Sequence, residues 1–500
     1  MFRSHNAPAV PLAAESHADT TVADTFPLDV RDEEAAALIQ QVSKAALAVM
    51  AEMEFSPAAS TTGLDEFLQD PAVRRPPPER GGSLAPLLET IGAAGRFGLN
   101  THNGRMLAFI PGSGLVSSAA TDLLAGVINS FTGATSAAPA MMALERDVVG
   151  WMADVMGLPA AAGGILSSGG SMSTLSALLC ARSARLSGSL DSACLYVTAE
   201  THHCAAKAAL LLGFPKRAVR IVPVDGLLRM DIGALRHMVA ADRAEGRAPF
   251  CIVANAGATS TGAIDPLPEL AVAARELGLW LHIDAAYGGF FQLTSRGRAA
   301  LAGIEDADSI VLDPHKSLFL PFGTGCLLVR DEAALRRAHS VESGAYLRDL
   351  DDTGDDFADI SPELTRPNRG LRLWLPLHLH GVAAFRDALD EKLDLTEELA
   401  ARLRATPGIE VHPGSSLSVI AFRRNDAGND EEQDRATEEI VRQINRTGEI
   451  YIATTRVQER VYARIALLSL RTNREHAERL FALLTSALES NSAWEARHAQ

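Results

Sequence analysis

Residues 309–325 read SIVLDPHKSLFLPFGTG, and the order of residue types in this stretch decides the fold. SIVLD is a short apolar run closed by an acid, the pattern of a strand buried on both faces. Lys316 follows, beside His315 and ahead of the apolar LFLPF, so it stands at a strand end in apolar company. Desolvation disfavours an ammonium. A lysine buried in this way is expected to have a lowered pKa and to act as a nucleophilic amine.

Outward from this stretch the same rhythm repeats. LYVTA (195–199), CIVANAG (251–257), LWLHIDAA (279–286) and CLLVR (326–330) read as strands. CAAKAALLLG (204–213) and LPELAVAARELG (267–278) read as helices. Short apolar strands alternating with helices predict an α/β fold, with a mainly parallel central sheet covered on both faces. Ligands of such sheets bind beyond the carboxyl ends of the strands. N-terminal to this region lie a loose arm, an amphipathic helix at 31–53 and a Pro/Gly break at 71–83. Beyond about 380 the chain changes to helices with strands at EIYIATT (449–455) and ARIALLSL (463–470), a smaller α+β domain. The expected units are an N-terminal arm and helical segment (1–100), a large domain (101–380) and a small C-terminal domain (381–500).

Composition bounds the function. With 500 residues, 47% of them hydrophobic, the chain can bury a large core. Its net charge of −16 argues against nucleic acid or an anionic membrane as partner. No stretch approaches the roughly 20 apolar residues that span a bilayer. The N-terminus has no apolar core of signal-peptide length. Five cysteines (Cys180, Cys194, Cys204, Cys251 and Cys326), none at C-x-x-C spacing, fit neither a disulfide framework nor a zinc ribbon. A reducing, cytoplasmic location is expected.

Four strand ends carry polar residues that could converge. SSGGSMST (167–174) opens a helix, where backbone N–H groups and the helix dipole favour an anion; an ordinary Gly-Ser turn reads the same way. THHC (201–204) places a histidine where it can stack on an aromatic ligand or move protons, although a structural histidine would also fit, and a metal site there lacks a fourth ligand. In HIDAAYGG (282–289) Asp284 is a carboxylate at a buried strand end, which needs a partner such as a protonated pyridine nitrogen, and the small Ala285 and Ala286 leave room for a flat ring. DPHKSL (313–318) carries Lys316.

Taken in order, Gly-Ser turn, histidine, D-A-A and H-K resemble the pyridoxal 5′-phosphate (PLP) enzymes of the aspartate-aminotransferase superfamily, and more closely the group II amino-acid decarboxylases. The resemblance runs from about 100 to 475. It includes HNGRMLAFIPGSG (102–114), SGGSMSTLSALLCAR (168–182), THHCAAKAA (201–209), HIDAAYGGF (282–290) and SPELTRPNRGLRLWLPLHLHG (361–381). It implies the PLP-dependent transferase fold (fold type I), a homodimer with active sites at the subunit interface, and conversion of an L-amino acid to an amine and CO2 through a Lys316 Schiff base and a quinonoid.

The resemblance also implies roles. Asp284 would hold the pyridinium, and His202 would stack on the ring. Gly169, Gly170 and Ser171 would cradle the phosphate, with Asp313 and His315 on that side. Ala286 and Thr259 would border the ring. Phe322, Gly323 and Thr324 would face the partner's phosphate. Phe109, Ile110 and Pro111 would line the substrate side, suggesting an apolar or aromatic substrate, and Arg464 would lie near the substrate carboxylate. No metal is required.

One departure stands out. Many members protonate Cα with a loop tyrosine, but DLDDTGDDFADI (349–360) has none. Phe357 falls where that tyrosine is expected, as in the aldehyde synthases, which makes decarboxylation-dependent oxidative deamination the alternative. Tyr346 or His202 would otherwise donate the proton. A catalytically silent PLP fold is the third reading, opposed by the presence of Lys316, Asp284 and His202.

Overall fold

In the computed structural model, which describes residues 28–71, 73–74, 76–340 and 356–498, the apolar runs form one seven-stranded sheet. Its strands are β1 (Gly163–Ser167), β2 (Ala193–Val197), β3 (Val219–Ile221), β4 (Ala248–Asn255), β5 (Trp280–Asp284), β6 (Ser309–Leu312) and β7 (Gly325–Val329). The spatial order is β1-β7-β6-β5-β4-β2-β3. Only β7 is antiparallel to its neighbours; the other pairs are parallel. This is the α/β architecture that the alternating pattern predicts.

The sheet is apolar on both faces because both are covered. Ile252, Ala254, Leu281 and Ile283 point into one core, together with Leu270 and Ala271 of the helix Leu267–Leu277. Cys251, Val253 and Trp280 alternate into a second core, against Ala177 and Leu178 of the helix Gly170–Arg185. The two-residue period of a strand sends neighbours to opposite faces, so a strand buried on both sides must be apolar throughout.

A second sheet lies C-terminal to the first. β8 (Ile409–Val411), β9 (Val419–Arg424), β10 (Ala453–Val457) and β11 (Arg460–Ala466) pair antiparallel in the order β8-β9-β11-β10. The expected strand at 449–455 starts later, at Ala453. The Asn445 side chain takes both the N–H and the C=O of Ile452, at 2.9 Å each, which removes them from any ladder. The helix Gly370–Arg404 feeds this region. It breaks at Gly381, where φ is 74°, so Leu373 and Leu377 pack in the large core while Leu395 and Leu399 pack with Ile420 and Ile465.

The chain divides into two compact units. One consists of residues up to 52 and 61–97; the other consists of 53–60 and 98–500. In the first, the helices Asp32–Phe55, Leu64–Gln69 and Leu84–Ala94 bury no residue fully. Among the described residues no helix is long and apolar enough to cross a membrane.

Candidate active site

The strands other than β7 share one direction, and a cavity of about 300 Å³ opens beyond their carboxyl ends. It is floored by the segments that follow β1, β2, β4, β5 and β6, and it brings together Gly169, Gly170, Ser171, His202, Thr259, Asp284, Ala286, Asp313, His315 and Lys316. These residues span almost 150 positions of sequence. They meet because parallel strands end at one edge of a sheet.

At one end the helix Gly170–Arg185 points its N-terminus into the cavity. Its N-cap is Gly169, which supplies no side-chain cap, so the first N–H groups are free for an anion. The close packing demands glycine: a Cβ on Gly170 would lie 2.9 Å from Asp313 Oδ2, and Gly169 itself adopts φ 148°. His315 stands beside this turn. Its Nδ1 lies 2.6 Å from the Thr324 carbonyl, which can only accept, so Nδ1 carries the proton.

At the other end stands Asp284, the last residue of β5. Its Oδ1 accepts the Ala286 N–H at 3.1 Å, which fixes the carboxylate at the strand end. Ala286 is buried and small, and it leaves space above the acid. His202 lies on the same cavity. Its Nδ1 accepts the Cys204 N–H at 3.3 Å, so the neutral ring carries its proton on Nε2. Burial lowers the His202 pKa, against an opposing pull from Asp284.

Lys316 sits between the two ends. It belongs to the short helix Pro314–Ser317, its side chain is 25% exposed, and its Nζ is 3.0 Å from Asp313 Oδ2. Here the expectation from sequence is corrected. Burial pulls the Lys316 pKa down, but Asp313 and Asp284 together raise it by more, so the protein's own groups favour the ammonium. A cation paired with Asp284 would weaken that pull on the ammonium. Asp313 Oδ1 is buried and without a hydrogen-bond partner, a polar atom that the protein alone leaves unsatisfied.

Other expected residues lie elsewhere. Thr324 and Gly323 flank rather than line the cavity: Arg372 Nη1 reaches the Gly323 carbonyl and Thr324 Oγ1, at 3.4 and 3.1 Å. Ile110 packs against the large core and Pro111 is buried, so neither lines it. Phe109 lines a neighbouring cavity instead. Arg464, on β11, donates from Nε to the Thr259 carbonyl at 2.7 Å and from Nη1 to the Phe109 carbonyl, while its buried Nη2 has no partner. Burial lowers its pKa to about 10.

Phe357 is the clearest correction. It does not face the cavity but is buried in the second core, against the guanidinium groups of Arg366 and Arg146, whose Cζ atoms are 4.7 and 5.1 Å from the ring centre. Two cations over one aromatic face system hold it there. Arg366 is itself paired with buried Glu145 at 2.6 Å and donates to the Leu166 carbonyl at 2.9 Å. Tyr346 falls outside the described residues. Among the described residues no group of three or more His, Cys, Asp or Glu side chains could hold a metal ion.

Among the cavity residues that the sequence reading did not single out are Asn255 and Tyr287. Asn255 closes the run CIVAN at the end of β4 and lines the cavity; its amide donates to Asp265 at 3.0 Å and Thr198 at 3.3 Å. The rule that polar residues at strand ends deserve inspection would have found it. Tyr287 lines the cavity too, and its hydroxyl lies 2.7 Å from Ser418 Oγ. No local pattern signals a partner 131 residues away.

A flat ring fits this arrangement, with an anion at the helix N-terminus, a carboxylate opposite and an amine between. The comparisons with known proteins agree. Residues 87–425 match the family model described as the pyridoxal-dependent decarboxylase conserved domain. The chain is 32% identical to an aromatic-L-amino-acid decarboxylase of Bacillus atrophaeus, over 83% of this chain and 88% of that protein. It is 31% identical to an L-2,4-diaminobutyrate decarboxylase of Rhizobium meliloti (strain 1021), over 81% and 82%. The crystal structure of Oryza sativa TDC with PLP and tryptamine superposes with a TM-score of 0.88 at 25% identity, covering 93% of this chain and 99% of that one. The chain belongs to the pyridoxal-dependent decarboxylase family. It is a PLP-dependent carboxy-lyase acting in amino-acid metabolism.

Proposed function

We propose that the cavity decarboxylates an L-amino acid, with Lys316 as the amine that carries PLP. The observation that supports this most is the convergence of Lys316, Asp284 and the uncapped helix N-terminus at Gly170 on one cavity. When bound, the cofactor supplies an electron sink for the bond to the departing carboxylate. The chain's own residues do the rest. The helix N-terminus and His315 hold the phosphate, and Asp284 keeps a ring nitrogen protonated by ion pairing. His202 and Ala286 enclose the ring from its two sides. Arg464 keeps the N–H groups of Nη2 for the substrate carboxylate, and two main-chain carbonyls orient it. His202, neutral with a proton on Nε2, is the described group best disposed to return a proton at Cα; Tyr346 is the other candidate.

The burial of Phe357 removes the observation that favoured an aldehyde product. The product of this reading is the amine.

We further propose that the enzyme works as a homodimer in the cytoplasm. The helix Val116–Ile128 exposes Leu123, Leu124, Val127 and Ile128, and Phe322 nearby in sequence to the phosphate side is 60% exposed. Apolar side chains clustered on one helix face favour association with a like surface. Five cysteines, all free and buried, suit a reducing compartment. Sedimentation equilibrium tests the dimer; a monomer at micromolar concentration would refute it. The reaction is tested by incubating purified, PLP-loaded protein with a panel of L-amino acids and following CO2, amine, peroxide and ammonia together. CO2 matched by amine is the expected result. Peroxide and ammonia matching CO2 would refute it.

A further inference from the structure

A second cavity of about 340 Å³ adjoins the first and shares His202 and Thr259 with it. It is therefore the space open to the part of a ligand that extends away from the cofactor. Its walls differ from the apolar pocket that Phe109 and Ile110 suggested in the sequence. Phe109 is present, but so are Glu200, Ser260, Arg456 and Arg464.

The charges on these walls have unequal standing. Arg464 is buried and, in the reading above on which this inference rests, is neutralised by the substrate's own carboxylate. Arg456 is at the exposed rim, and its Nη1 donates to the Glu459 carbonyl at 3.1 Å; solvent screens it. Glu200 is half-buried. Ser260 Oγ donates to its Oε2 and anchors it, and it makes no ion pair among the described residues. Burial raises its pKa, so the carboxylate stands in surroundings that do not favour its charge. A cation brought by the ligand would relieve that cost.

We propose that Glu200, anchored by Ser260, is the specificity-determining residue of this enzyme and selects L-amino acids whose side chain ends in a protonated amine. A neutral side chain of the same length would leave the carboxylate unpaired, and an acidic one would face like charge.

The test compares L-lysine, L-ornithine and L-2,4-diaminobutyrate with the neutral L-norleucine and the acidic L-glutamate on PLP-loaded enzyme. Two quantities are measured: kcat/KM for CO2 release, and Kd from titration of the cofactor's visible band. For the wild type, the amine-bearing side chains are preferred over L-norleucine. In Glu200→Gln that preference falls by about 10- to 100-fold, mainly through KM and Kd. Ser260→Ala keeps the carboxylate but frees it, and moves the ratio the same way by less. Glu200→Asp keeps part of the preference. An unchanged ratio in Glu200→Gln, with its visible band intact, overturns the inference, as does a wild type that prefers L-norleucine or L-glutamate. The two readings fail separately. Absence of CO2 from every amino acid sinks the decarboxylase reading, whereas the Kd ratios still decide for or against Glu200.

Discussion

The cofactor cavity and the chamber beside it share two residues, yet they are built from the sequence in different ways. The first is made of short motifs, each at the end of one strand: SGG, H202, DAA, HK. The second is assembled from Phe109, the run from Ala199 to His202, Thr259 and Ser260, the β10 segment and Arg464, and half of these lie outside the strand-end motifs of the large sheet. The difference teaches where each kind of information is kept. Chemistry that depends on one cofactor needs fixed groups at fixed strand ends, and a parallel sheet provides them. Selectivity needs a wall, and the wall is contributed by whatever elements pack nearby.

Loss of the amine would strike hardest at the motif-built cavity. Lys316→Ala lowers kcat/KM by about 10⁴-fold or more and abolishes the cofactor's visible band on dialysis, because no other amine is within the cavity. A variant that keeps the band would break the assignment. Stability, by contrast, is held outside both cavities. Glu145→Ala leaves the buried Arg366 guanidinium without its partner and destabilises the fold by about 3–5 kcal/mol in urea denaturation. A change below about 1 kcal/mol would show that the pair is not buried as described.

The acid limb of stability sharpens the same contrast. His282 lies under the cofactor cavity on β5, fully buried. Trp280 Nε1 donates to Ser309 Oγ at 2.8 Å, and the same hydroxyl lies 2.9 Å from His282 Nδ1. Burial lowers the His282 pKa to about 4. Its folded pKa is thus below its unfolded value near 6.5, so the unfolded state binds the extra proton first. Its contribution is complete above pH 6.5 and is lost as pH falls toward 4, by about 3 kcal/mol. The urea midpoint should fall over that window, and part of the fall should be absent in His282→Asn. The smallest expected effect is that of Phe357→Tyr. A hydroxyl added to this buried ring costs about 1–3 kcal/mol of stability, and the ratio of amine to aldehyde stays the same. A shifted ratio would return Phe357 to the reaction.

Much of this was legible in the residues. The run SIVLDPHKSL carried a strand, its end and the lysine in ten positions, because strand burial and nucleophile desolvation both appear as local apolar context. Asp284 was found for the same reason. Position in the loop points Phe357 to the reaction, but its place is fixed by packing against Arg146 and Arg366, whose positions no count along the loop could supply. The Lys316 ammonium was misjudged because desolvation is visible in sequence, but the 3.0 Å approach of Asp313 within a turn of helix is not.

By itself, then, the sequence determined the strand ends and the residues they carry into the cavity: Lys316, Asp284 and the turn Gly169–Ser171. Each depends on neighbours within a few residues, where pattern and chemistry coincide. Only the tertiary structure decided the proton balance at Lys316, the burial of Phe357 and the meeting of Glu200 and Arg464 on the walls of one cavity. Those depend on distances between residues far apart in the chain, which packing sets.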